Sequence, residues 1–138
     1  MKRQPWLYTA PRIDLGLLFL RLAGSFMLLY VHGIPKILHY ANQLAQIEDP
    51  FGLGRSLSLW AAIFAEVLCP IAIVLGVATR LACLPIIAVL LIAMLAVHPD
   101  WSVAEGQFGW LLLIIFITIS LCGAGRWGLL PSGTKETP

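Results

Sequence analysis

The sequence predicts an all-α fold: a membrane four-helix bundle with its N- and C-termini in the cytoplasm. Composition and segment length give the fold class, and the distribution of charge gives the orientation. Of 138 residues, 59% are hydrophobic and 12% charged, against roughly 45–50% and 25% in soluble domains. A soluble domain this small has too much surface for its volume to bury so much apolar area; a bilayer accommodates it. Apolar segments recur at about 13–31, 57–78, 81–98 and 107–123. Each approaches the ~20 helical residues that cross the hydrocarbon, the third and fourth only with their flanking residues. Residues 1–130 form one domain, and 131–138 a polar tail.

This topology puts Lys2, Arg3, Arg12, Arg80, Arg126 and Lys135 on the cytoplasmic side. The other side holds only Lys36 and Arg55, with Glu48, Asp49, Asp100 and Glu105. Cytoplasmic enrichment of Lys and Arg sets this orientation. Trp6, Tyr8 and Trp127 fall at one interface, and Tyr30, Trp60, Trp101 and Trp110 at the other. The opening "MKR" has the charge of a signal peptide, but Arg12, Asp14 and Arg21 interrupt the apolar run, so an uncleaved first span is expected.

The first span carries Asp14, Arg21, Ser25, His32 and Lys36 on roughly one helical face. Such a stripe must turn into the bundle, because intramembrane charges are costly against lipid. Pro35 is expected to bend its outer end. The second span places Glu66 near the middle of "SLWAAIFAEVLCPIAIVLG". Counted from the cytoplasmic edge, Arg21 and Glu66 differ in depth by only ~5 Å, so the expectation is an Arg21–Glu66 pair. Two roles are open for it: a structural clamp, or the floor of a cavity rimmed by His32 and His98 with Lys36 nearby. Histidine carries protons near neutral pH.

The first loop, about Ile34 to Ser56 and including "EDPFGLGRS", is the long one; it either covers a site or links two spans. In the fourth span, Thr118 is expected to bond back to its own helix. "GAGR" reads as a helix terminus closed by glycine and a basic residue. A net charge of +2 without a basic cluster excludes nucleic acid as a partner. Cys69, Cys83 and Cys122 lie in apolar segments without a C-x-x-C pair, so they are expected to behave as small hydrophobes. No metalloprotease, P-loop, dinucleotide or nucleophile-elbow motif is present, and no metal site is expected.

The ordered series "LFLRLAGSFMLLYVHGIPKI", "DPFGLG", "AAIFAEVLCPIAIVLGVATRLACLPIIAVLLIAMLAVH" and "GAGRWGLL" resembles the DoxX family of small four-helix membrane proteins. The resemblance marks Arg21, His32, Gly33, Lys36, Glu66, Gly76, Arg80, His98 and Arg126. Family members often carry an acid at the start of the fourth span, where this chain has Gln107, so a role for that acid does not transfer. The resemblance implies a multi-pass protein of the bacterial plasma (inner) membrane and a redox-linked subunit interacting with quinone. On that reading Glu66, His32 and His98 are the catalytic candidates, and Arg21, Lys36, His32 and His98 the ligand-binding ones.

Two other readings stand beside it. One is a non-catalytic scaffold or assembly partner of an oxidoreductase or stress-response complex, its outer loop docking another protein. The other is a haem protein with His32 and His98 as axial ligands, which the resemblance does not support. Besides the lipid bilayer, a protein partner or a second copy of the chain is expected. A transporter would need oligomerisation to enclose a pathway.

Overall fold

The computed structural model describes residues 10–130, and among them the only regular structure is helical. Helix α1 runs as Ala10–Leu28, widens into one π-helical turn at Leu29–Gly33, and ends as Ile34–Leu38. A short helix, α2, follows at Tyr40–Gln46. Helix α3 consists of Arg55–Ile63, a π turn at Phe64–Leu68, and Cys69–Leu75. Helix α4 covers Thr79–Ile92 and finishes in a π turn at Ala93–Val97. Helix α5 is Gln107–Cys122, and a 3₁₀ turn at Gly125–Trp127 follows it.

Three of these helical rods, Arg12–Leu38, Arg55–Leu75 and Thr79–Val97, are long and apolar enough to cross a membrane. Helix α5 is equally apolar but has 16 residues, about 24 Å of rise against a hydrocarbon core of about 30 Å. The first rod extends beyond the predicted end near residue 31, because His32 and Lys36 turn inward and let the helix continue past its apolar stretch. The long connection holds α2, where the sequence pattern showed only a loop.

Helix α1 packs against α3 and α5, and α4 packs between the same two partners. The main core joins Leu28, Cys69, Ile73, Cys83, Ile86, Leu90, Leu113, Phe116 and Ile119. A second cluster forms where α2 covers α3: Leu59, Ile63 and Val67 meet Leu29, Tyr40, Leu44 and Ile47. Phe19, Phe26, Leu81, Ile114 and Leu121 stand on the outer faces and are exposed, as expected where lipid is the solvent. Thr118 Oγ1 donates to the Ile114 carbonyl of its own helix at 2.8 Å, as predicted. Cys69, Cys83 and Cys122 are free thiols, the first two buried.

The three π turns share one local cause. In each, the residue after the turn donates its N–H five residues back: Ile34 to Leu29, Cys69 to Phe64, and His98 to Ala93. The next residue in each case is a proline: Pro35, Pro70 or Pro99. A proline ring clashes with the carbonyl four residues before it and supplies no N–H. Widening the preceding turn relieves that clash. Pro85 lies inside α4 without a π turn; only six helical residues precede it, so its clash falls at the adaptable first turn.

At the end of the bundle carrying Ala10 and Leu130, the carbonyls that close α3 are fully satisfied. Val77 N–H reaches the Ala72 carbonyl at 2.9 Å and Gly76 N–H the Ile73 carbonyl at 3.0 Å, the paired bonds of a Schellman cap. Leu129 N–H takes the Leu75 carbonyl at 3.1 Å and Leu130 N–H that of Gly76 at 3.3 Å. Arg21 supplies the rest: Nε to the Ile73 carbonyl at 3.0 Å, Nη2 to Val74 at 3.0 Å, and Nη1 to Ala124 at 2.5 Å. Gly76 sits at φ 72°, and a Cβ there would strike Gly128 and the Arg21 guanidinium. Nearby, Asp14 Oδ1 accepts the Arg126 N–H at 3.1 Å.

The expected Arg21–Glu66 pair is therefore absent. Helical side chains lean toward their helix N-terminus, and α1 and α3 are antiparallel. Arg21 leans toward the terminal end of the bundle and Glu66 toward the opposite end. Similar depth along the membrane normal did not make them neighbours.

Candidate functional site

The same directional rule brings Lys36 and Glu66 together. Lys36, near the C-terminal end of α1, leans back into the bundle; Glu66 on α3 leans outward to meet it. Lys36 Nζ lies 2.5 Å from Glu66 Oε2, with the side chains only 15% and 9% exposed. The contact is ionic: Oε2 is buried and has no partner in hydrogen-bonding geometry. Lys36 Nζ also approaches the His32 carbonyl oxygen at 3.4 Å. An isolated charge here would be heavily penalised; the pairing offsets much of that cost.

Helices α1 and α3 approach closely at this level. A Cβ on Gly33 would collide with the backbone carbonyl of Glu66, so only glycine lets the two π turns stack. The contact fixes the height of Glu66 relative to His32 and Lys36.

Glu66, Lys36, His32 and His98 all border one cavity of about 650 Å³. Three of its walls come from the π turns of α1, α3 and α4, through Val31, His32, Glu66, Ala93, Met94 and Val97. Helix α5 adds Phe108, Gly109 and Leu112. The far end is formed by Gln43 of α2 and by Glu48, Pro50, Phe51 and Leu53 of the connection after it. His98 terminates α4, and its ring stacks on Trp101 with centroids 3.8 Å apart and planes 5° from parallel. The chamber is thus largely apolar, with an ion pair and two imidazoles grouped on its α1, α3 and α4 sides.

The connection bordering this chamber is held by its own carboxylate. Asp49 accepts the N–H groups of Gly54 at 2.8 Å and Leu53 at 3.0 Å, and the Ser58 hydroxyl at 3.0 Å. This ties "DPFGLG" to the N-terminus of α3, where the helix dipole favours an anion. Those hydrogen bonds, that from the Gly54 N–H first, hold the Asp49 carboxyl below its ordinary value. Glu105 is lowered in the same way by the N–H and hydroxyl of Ser102.

Arg21 does not border the cavity; each of its three guanidinium nitrogens donates to a carbonyl at the other end of the bundle. Ser25, also on the predicted stripe, faces a separate apolar groove of about 400 Å³ between α1 and α3. The sequence pattern also missed the apolar walls, Met94, Phe108 and Leu112, because nothing distinguishes them from core or lipid-facing residues. The signal that was present is the recurring proline: "HGIP", "EVLCP" and "AVHP" each put a polar cavity residue one to four positions before it.

These features define an all-helical integral membrane protein with a mostly apolar, charge-bearing cavity at one end of the bundle. The chain belongs to the DoxX family: the DoxX family model matches residues 16–99, more than half its length. The matched region contains Arg21, His32, Lys36, Glu66 and His98 and ends before α5. No curated protein and no solved structure is significantly similar to it.

Proposed function

We propose that this protein is a redox-linked membrane subunit whose cavity binds a quinone, with the polar group of residues at the quinone head and the apolar walls around its ring and tail. The observation that supports this most is the Lys36–Glu66 pair with His32 and His98 bordering a largely apolar chamber. The volume of about 650 Å³ falls within the range of small-molecule sites, roughly 300–1,000 Å³.

The residues suit the chemistry. A quinone presents carbonyl acceptors on a flat apolar ring. The Lys36 ammonium and the imidazoles of His32 and His98 are donors, while Met94, Phe108 and Leu112 offer apolar contact. When bound, a quinone supplies an acceptor for two electrons and two protons. His32 and His98 offer imidazole nitrogens that can donate and accept protons. Glu66 anchors Lys36 and gives the site a carboxylate through which protons move. Electrons come from a partner protein or a reduced substrate. On this reading the protein is a multi-pass component of a bacterial plasma membrane, and the cavity lies toward the side away from the cytoplasmic termini.

A second reading, a non-catalytic scaffold of an oxidoreductase or stress-response complex, draws on the other half of the polar stripe. Asp14 and Arg21 spend their polar atoms on holding the bundle closed.

The deciding experiment uses protein purified gently from its native membrane: an optical spectrum, then mass spectrometry of extracted small molecules. Stoichiometric quinone, lost in Glu66→Gln or His32→Ala while the protein stays folded, is the expected result. An empty extract with a flat visible spectrum overturns the quinone reading. A Soret band would put haem in its place.

A further inference from the structure

We infer that Pro35, Pro70 and Pro99 are positioning residues for the cavity, imposing the wide turns that present His32, Glu66 and His98 to it. The inference rests on the cavity being the ligand site, but the turns themselves are a separate observation. Three helices widen next to the same chamber, each time with the proline two residues after the turn ends. π turns interrupting α-helices occur frequently at functional sites.

The geometry gives each proline a definite task. A π turn inserts one residue into the α register, which rotates the flanking helix by ~100° relative to an unbroken one. For α3, the carbonyl displaced by Pro70 belongs to Glu66 itself, four residues earlier. That carbonyl rests against Gly33 of α1, so the displacement is used to seat Glu66 opposite Lys36. In α1, Pro35 follows His32 by three residues and precedes Lys36 by one, so its turn sets the other side of the same pair. In α4, Pro99 ends the helix at His98 and leaves that ring to stack on Trp101 beside the cavity. Pro85, which has no π turn and does not border the cavity, is the internal contrast.

The test is a double-mutant cycle on the full-length protein in detergent, reading the unfolding midpoint. Lys36→Gln and Glu66→Gln are combined in the parent, in Pro70→Ala, in Pro35→Ala and in Pro85→Ala. The two substitutions are expected to be non-additive in the parent and in Pro85→Ala. In Pro70→Ala and Pro35→Ala they are expected to become additive. If Pro70→Ala does not fold, Pro35→Ala decides. Coupling retained in either folded proline variant, or no coupling in the parent, overturns the inference. Quinone retention is measured alongside: a parent without quinone removes the proposed function, yet the cycle still reports whether the prolines position the pair.

Discussion

A guanidinium carries its donors in a rigid planar fork, and Arg21 uses that geometry in full. Its three bonded nitrogens reach carbonyls on α3 and on the segment after α5, and the side chain is completely buried. Lysine has the charge without the fork. Arg21→Met is expected to cost about 3 kcal/mol or more, since hydrogen bonds from a charged group are lost and buried carbonyls are left unpaired. Arg21→Lys should recover only part of this, and detergent-unfolding midpoints of the two variants check it. The sequence identified Arg21 and Glu66 as needing partners, because a charge inside an apolar run has few alternatives. It did not reveal which partners, because that depends on the lean of each side chain along antiparallel helices. Backbone carbonyls as the partners of Arg21 left no trace in residue types at all.

At the scale of elements, three long apolar rods, a shorter fourth apolar helix and their approximate limits followed from hydropathy. The π turns and α2 did not. The turns arise from a clash between proline and a carbonyl, which hydropathy does not register. Helix α2 has too few apolar residues to stand out; Tyr40 and Leu44, with Ile47 just after it, pack against α3, and Arg55 Nη1 donates to the Ala45 carbonyl at 3.0 Å. The Asp49 turn yields a prediction with a definite sign. Its folded pKa is depressed, so its contribution is fully present above the ordinary carboxylate pKa of about 3.9 and is lost as pH falls through the lower folded value. Hydrogen exchange at the Leu53 and Gly54 amides should stay slow, relative to the intrinsic rate, down to about pH 4 and lose its protection below it. Asp49→Ala should remove the protection at every pH.

Taken whole, the molecule separates its polar side chains into two groups at opposite ends, with the main apolar core between them. One group forms the cavity; the other joins α1, the α3–α4 turn and the segment after α5. The sequence showed one continuous stripe on the first span, and the structure divides it between these two ends. Ending the chain after Cys122 would remove the Ala124 carbonyl from Arg21, the Arg126 N–H from Asp14, and the Leu129 and Leu130 donors from α3. Such a truncation is expected to insert in membranes but to lose its folded state in mild detergent, seen as early elution or aggregation in size-exclusion chromatography. Full-length Arg21→Met should share that defect, whereas Glu66→Gln should not.

The contact between Arg21 and Ala124 spans 103 residues. A chain emerging from the ribosome presents its N-terminal part first, so the arginine must enter the membrane long before its last acceptor has been translated. Until then, α1 carries a cation whose set of partners is incomplete. Water, lipid headgroups or the insertion machinery must shelter it until the segment after α5 folds back. Translation of the segment after α5, rather than insertion of that helix, is then the step that commits the bundle to its closed form.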